Sequence, residues 1–144
     1  MRVFPDTNVL ASAFGTRGLC ADVLRLIFRE HELITGEIVL EELRRVLKGK
    51  FGVPARTVAE IENFLRGYHV EPTRGKLPEL ELDDRSDVLV IGSAINAEAE
   101  ILITGDKEML RLNEKAAGLR IVSPRDFWKL AAGKRKSSLK SGSR

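Results

Sequence analysis

Residues 100–106, Glu100-Ile101-Leu102-Ile103-Thr104-Gly105-Asp106, decide the fold of this chain. A short apolar run of β-favouring residues, stopped by Gly-Asp, reads as a buried strand that ends on an aspartate. The opening of the sequence repeats the pattern, since Arg2-Val3-Phe4 runs into Pro5-Asp6. Leu33-Ile34-Thr35, closed by Gly36, and Arg120-Ile121-Val122 are two further short strands.

Helical stripes fill the intervals. Leu19, Val23, Leu26 and Ile27 recur at helical spacing, as do Val39, Leu43, Val46 and Leu47 before Gly49 to Gly52. Pro54 is placed to open a helix carrying Val58, Ile61, Leu65 and Tyr68, which should end before Val70. Val88, Ile91 and Ile95 mark another, capped by Asp84 or Ser86, and Asp6-Thr7-Asn8 precedes a short one at Val9-Leu10. A helical turn over 108–112 and a last helix from Pro124 to about Ala132 complete the series, and residues 75–84 read as loop. Strands alternating with helices imply right-handed βαβ units. The expected fold is α/β: three α/β/α layers around a mostly parallel sheet of four to five strands. Pro5 is the awkward residue, because proline is poorly tolerated inside a central strand, so strand one is expected to stop early or distort before Asp6.

Composition sets the frame. With 144 residues and 43% apolar content the chain fits one domain with a continuous core. No run approaches the roughly 18 apolar residues of a membrane span, and no secretory h-region opens the sequence. The cytoplasm is the expected compartment. Cys20 is the single cysteine and reads as a small hydrophobe. Five of the 24 basic residues lie beyond Gly133, leaving 19 against 21 acids over residues 1–132, a net charge of −2. The expected division is therefore a domain over 1–132 and a basic tail over 133–144 that does not fold, serving either as a loose grip on RNA or as a solubilising end.

Ligand sites in open α/β sheets lie outside the carboxyl ends of the strands, where Asp6 and Asp106 stand. Taken singly, each candidate acid has a purely structural explanation. Asp6 can cap a helix, Glu42 can be an exposed helix residue, Asp87 can favour a helix dipole and Asp106 can close a turn. Taken together they differ. Asp87 flanks the Ile91 stripe and Glu42 the Val39-Leu43-Val46 stripe, so four carboxylates gather near the core edge. Such a group repels itself and is costly to desolvate without a cation. Oxygen ligands with no His or Cys nearby favour Mg²⁺ or Mn²⁺. Glu42 is chosen over Glu41 because it directly precedes Leu43 of the buried stripe. Arg44, Arg45 and Lys48 follow on the same helix, as RNA-phosphate contacts or as a solvated face. His31 and His69 lie near no motif, and few aromatics are available to stack bases.

The runs Val3-Phe4-Pro5-Asp6-Thr7-Asn8-Val9-Leu10, Glu41-Glu42-Leu43-Arg44-Arg45-Val46-Leu47, Asp84-Arg85-Ser86-Asp87 with Ala94 beyond, and Ile101-Leu102-Ile103-Thr104-Gly105-Asp106 resemble, in order, the four motifs of the PIN-domain family. The likeness spans residues 1 to about 130 and is greatest to toxins of the VapC type. It implies a metal-dependent endoribonuclease. Asp6, Glu42, Asp87 and Asp106 match the acidic catalytic and metal-binding positions, and Asn8 and Thr104 match polar residues that shape the site. It further implies an RNA substrate, an antitoxin protein as partner, and a homodimer. Two other readings stand beside it: a PIN-like module that binds RNA or partners without cutting, and a phospho-acceptor receiver domain. Intact acids at all four positions argue against the first. The second calls for paired acids after strand one, where this chain has only Asp6.

Overall fold

The computed structural model describes residues 1–73, 82–112 and 118–142, with the side chains of 134–142 outside the description. Among the described residues, five strands and seven helices follow in the order β1 (Arg2–Pro5), α1 (Thr7–Gly15), α2 (Leu19–Glu30), β2 (Glu32–Gly36), α3 (Glu37–Gly49), α4 (Ala55–Leu65), β3 (His69–Glu71), α5 (Arg85–Asn96), β4 (Ile101–Ile103), α6 (Lys107–Leu110), β5 (Arg120–Val122) and α7 (Pro124–Gly142). The strands form one sheet in the order β3-β2-β1-β4-β5, and every pairing is parallel. The chain winds from β1 outward to β3, then crosses back to β4 and continues to β5. That reversal leaves a crevice between the carboxyl ends of β1 and β4.

The apolar periodicities become the core. Val3 and Phe4 of β1, Leu102 and Ile103 of β4, and Ile34 of β2 are all fully buried. Val23, Leu26 and Ile27 of α2 and Val39, Leu43 and Leu47 of α3 are buried as their stripes predict, whereas Leu19, at the head of the first stripe, is exposed and Val46 is half-buried. α5 packs against β2 and β3, and α7 against α2. No helix among the described residues is long and apolar enough to cross a membrane.

The structure departs from expectation at four places. β3 has no counterpart in the sequence reading, because three residues with His69 and Glu71 at their ends give no alternating pattern. α4 ends at Leu65, so Tyr68 lies outside the helix whose stripe it seemed to continue. Pro5 does not truncate β1, and it pairs in register with Ile103. Successive residues point their backbone groups to opposite neighbours: Arg2 O and Asp6 N–H bond toward β4, so the Pro5 nitrogen turns toward β2. The ladder on that side stops at Val3 and Leu33, because the next rung would need an N–H on Pro5 to donate to Ile34 O. Finally, α7 runs to Gly142, ten residues past the helix end expected near Ala132. Extending an existing helix adds one hydrogen bond per residue fixed, and the Lys, Arg and Leu of this stretch are good helix formers. Most of the loop expected over 75–84 lies outside the described residues.

Candidate functional site

Three helices begin at the β1/β4 crevice, and each starts with an aspartate. Asp6 precedes α1 and accepts the Thr7 amide at 2.8 Å; Asp84 precedes α5 and accepts the Ser86 amide at 2.8 Å. Asp106 precedes α6 and accepts the amides of Glu108 at 2.8 Å and Met109 at 3.2 Å. The capping explanation and the site explanation of these acids are thus compatible. Capping fixes each carboxylate at a helix N-terminus, whose partial positive charge favours an anion.

A hydrogen-bonded chain joins the acids across the crevice. The Thr7 hydroxyl donates to Glu42 Oε2 at 2.9 Å, bridging α1 to α3. The Thr7 amide holds Asp6 Oδ1, and the Thr104 hydroxyl donates to Asp6 Oδ2 at 2.8 Å. The Asp106 amide donates to Thr104 Oγ1 at 3.1 Å. Asp6, Thr7 and Thr104 are buried, so the middle of the chain runs beneath the surface and its ends, at Glu42 and Asp106, are half-buried. One atom is left out. Glu42 Oε1 is buried and has no hydrogen-bond partner.

Asp6, Glu42, Asp87 and Asp106 line one cleft of about 420 Å³, together with Asn8 and Arg45. All four predicted acids therefore converge, and Thr104 lies directly beneath them. Glu41 is exposed while Glu42 enters the cleft, as the buried stripe of α3 implies. The three basic residues separate. Arg45, three residues after Glu42, returns to the same side of α3, whereas Arg44 and Lys48 line a different groove of about 180 Å³ against α4. Arg44 is engaged there, donating to Glu62 Oε1 from Nε at 3.0 Å and Nη2 at 2.7 Å.

Sequence reasoning passed over three residues of this site. Asp84 was considered only as a cap, yet it lines the cleft. Glu108 can bring a carboxylate oxygen within 4.8 Å of Asp87 and Asp106, a proximity foreshadowed by its position two residues after Asp106. Thr7, the middle residue of Asp6-Thr7-Asn8, gave no signal at all, because its partner lies 35 positions away.

The electrostatics follow from burial first and crowding second. Asp87 is pushed up to about 7 from the ordinary 3.8 by burial first, then by Asp106, Asp84, Asp6 and Glu42. Burial also raises Asp6, with Glu42 and Asp106 adding to it and the bonds from Thr104 and Thr7 opposing. A carboxyl raised in the folded state contributes stability that is complete below its unfolded value and is lost as pH climbs through the folded one. Glu37 and Glu62 are lowered, chiefly by hydrogen bonds from Arg66 and Arg44 respectively, and their contribution is lost on acidification instead. With a chelator present, melting temperature should therefore peak near about pH 5 and fall toward pH 8, and Asp87→Asn should flatten that fall. A wild-type melting temperature rising steadily across this range would refute the electrostatic picture.

The sequence profile described as PIN domain matches residues 2–108. No curated protein sequence matches significantly. Among solved structures, VapBC2 from Rickettsia felis, bound to a DNA fragment from its promoter, matches with a TM-score of 0.60 at 20% identity, covering 85% of this chain and 98% of that one. Mycobacterium tuberculosis VapC20, described as a Sarcin-Ricin loop cleaving toxin, gives 0.57 at 16% identity over 82% and 98%. The PIN domain endonuclease Utp24 gives 0.54 at 18% over 85% and 84%. At these identities the likeness is one of fold.

Proposed function

Because the chain belongs to the PIN-domain family, we propose that it is an endoribonuclease dependent on Mg²⁺ or Mn²⁺, acting as the toxin of a toxin–antitoxin pair. The observation that carries this reading is the convergence of Asp6, Glu42, Asp87 and Asp106 on one cleft at the sheet's switch point. The donor set fits a hard divalent cation. It is made of carboxylate oxygens, it includes a buried oxygen with no partner, Glu42 Oε1, and burial, with mutual repulsion adding to it, raises Asp87 and Asp6. Asp6 and Asp106 are the principal ligands, with Asp87 and Glu42 completing the set. When bound, the cation supplies charge neutralisation and polarisation for phosphodiester hydrolysis.

The remaining work falls to the chain itself. Thr104 holds Asp6 and Asp106 in register, and Asn8 shapes the mouth of the cleft. Arg45 is the basic residue in the cleft lining and is placed to orient a substrate phosphate. The basic residues of α7 offer a looser, salt-dependent attraction to RNA. VapBC2 is a complex of the VapBC kind and VapC20 a loop-cleaving toxin, which supports an antitoxin partner and an RNA substrate for this chain. A homodimer and a cytoplasmic setting belong to the same proposal.

The test is incubation of the purified chain with single-stranded and structured RNA in Mn²⁺, beside the same reactions with chelator. Cleavage in Mn²⁺ alone is expected. Equal products in both, or none in either, would overturn the reading.

A further inference from the structure

We infer that Thr7 is a positioning residue that sets which oxygen of Glu42 stays free for the cation, an inference that rests on the proposed metal-dependent function. Thr7 is 3% exposed and occupies the first turn of α1, directly after Asp6. Its two polar groups act on two different acids. The amide fixes Asp6 Oδ1 at 2.8 Å, and the hydroxyl fixes Glu42 Oε2 at 2.9 Å. With Oε2 engaged, the terminal torsion of Glu42, which is otherwise broad and roughly two-fold, is confined to one setting. The oxygen left over is Oε1, buried, lacking any hydrogen-bond partner and carried by a residue that lines the cleft. A buried acceptor left unsatisfied costs free energy unless something completes it. A divalent cation does so, and Asp6, Asp87 and Asp106 already converge on the same cleft.

The arrangement is specific to a hydroxyl. Valine at this position keeps the branched shape and the backbone amide but offers Glu42 no donor, so the carboxylate is free to turn and both of its oxygens lose their assigned places. Serine keeps the donor. Thr7 touches neither cation nor substrate in this scheme. It acts through Glu42, as outer-shell partners of metal ligands do.

The experiment measures Mn²⁺ affinity by calorimetry on chelator-stripped chain, so that binding is read apart from turnover. Thr7→Val should weaken Mn²⁺ binding by roughly 10-fold or more, the scale of a lost outer-shell bond. Thr7→Ser should bind as wild type does. In a Glu42→Ala background the effect of Thr7→Val should vanish, because the side chain it positions is gone. Wild-type affinity in Thr7→Val would overturn the inference while leaving the proposed function standing. An equal loss in the Glu42→Ala background would also overturn it, by making Thr7 merely structural. Failure of wild type itself to bind Mn²⁺ would overturn both.

Discussion

Asp6→Asn is expected to lower Mn²⁺-supported RNA cleavage by at least about 100-fold without unfolding the protein. A metal-held transition state is worth several kcal/mol, and each 1.36 kcal/mol is a factor of about ten in rate. The substitution preserves shape and removes charge. It also replaces one carboxylate oxygen with an NH₂ group that must face a donor, either the Thr7 amide or the Thr104 hydroxyl. The hydroxyl has a second acceptor within reach in Met109 Sδ, at 3.8 Å, so the fold can absorb this change. Removing a buried charge whose neighbours Glu42 and Asp106 repel it also relieves the metal-free state. Cleavage rate and melting temperature should therefore diverge: the first collapses while the second holds or rises above pH 7. A variant that cuts RNA at the wild-type rate would remove Asp6 from the chemistry.

Phe4→Ala is expected to cost about 3–5 kcal/mol, the range for deleting a buried aromatic ring. Phe4 is fully buried in β1, the middle strand of the sheet. Its ring abuts the close approach of β2 and α5: a Cβ built on Gly36 would lie 3.5 Å from Phe4 Cζ and 3.3 Å from Ser93 Cβ. Neighbours this constrained cannot collapse into the cavity. Against a typical stability of 5–15 kcal/mol the loss is a large fraction of the whole. Urea unfolding provides the measurement, with Phe64→Ala as control. Phe64 is 50% exposed at the end of α4, and its loss should cost far less. A Phe4→Ala penalty below about 1 kcal/mol would mean that β1 is not the centre of the core.

The fold was legible wherever burial imposes a period. The runs at 2–4, 33–35 and 100–104 stood out because both faces of a parallel strand are covered, and α2, α3 and α5 because one face of each is. β3 escaped because its place is set by pairing with Ile34, Thr35 and Gly36, not by its own three residues. Pro5 divides the strand's two edges: the β1/β2 ladder stops at Val3, where proline has no N–H to carry it on, while pairing with β4 continues through Pro5 because that edge asks no donor of it. At the site, strand-end position identified Asp6 and Asp106, and the stripe of α3 separated Glu42 from Glu41. Charge alone could not place Arg44 and Lys48, since a basic side chain has partners on any helix face, and Glu62 of α4 claims Arg44. The bond from Thr7 to Glu42 Oε2, which leaves Oε1 unpaired, joins distant elements and is encoded by no local pattern.

The central claim is that four acids converging on one cleft, three of them linked through Thr7 and Thr104, hold one divalent-cation site. Calorimetric titration of Mn²⁺ into chelator-stripped wild type and into Asp87→Asn/Asp106→Asn tests it most directly. Saturable binding by wild type that disappears in the double variant is the predicted result. No saturable binding to wild type, or equal binding to both, would contradict the account.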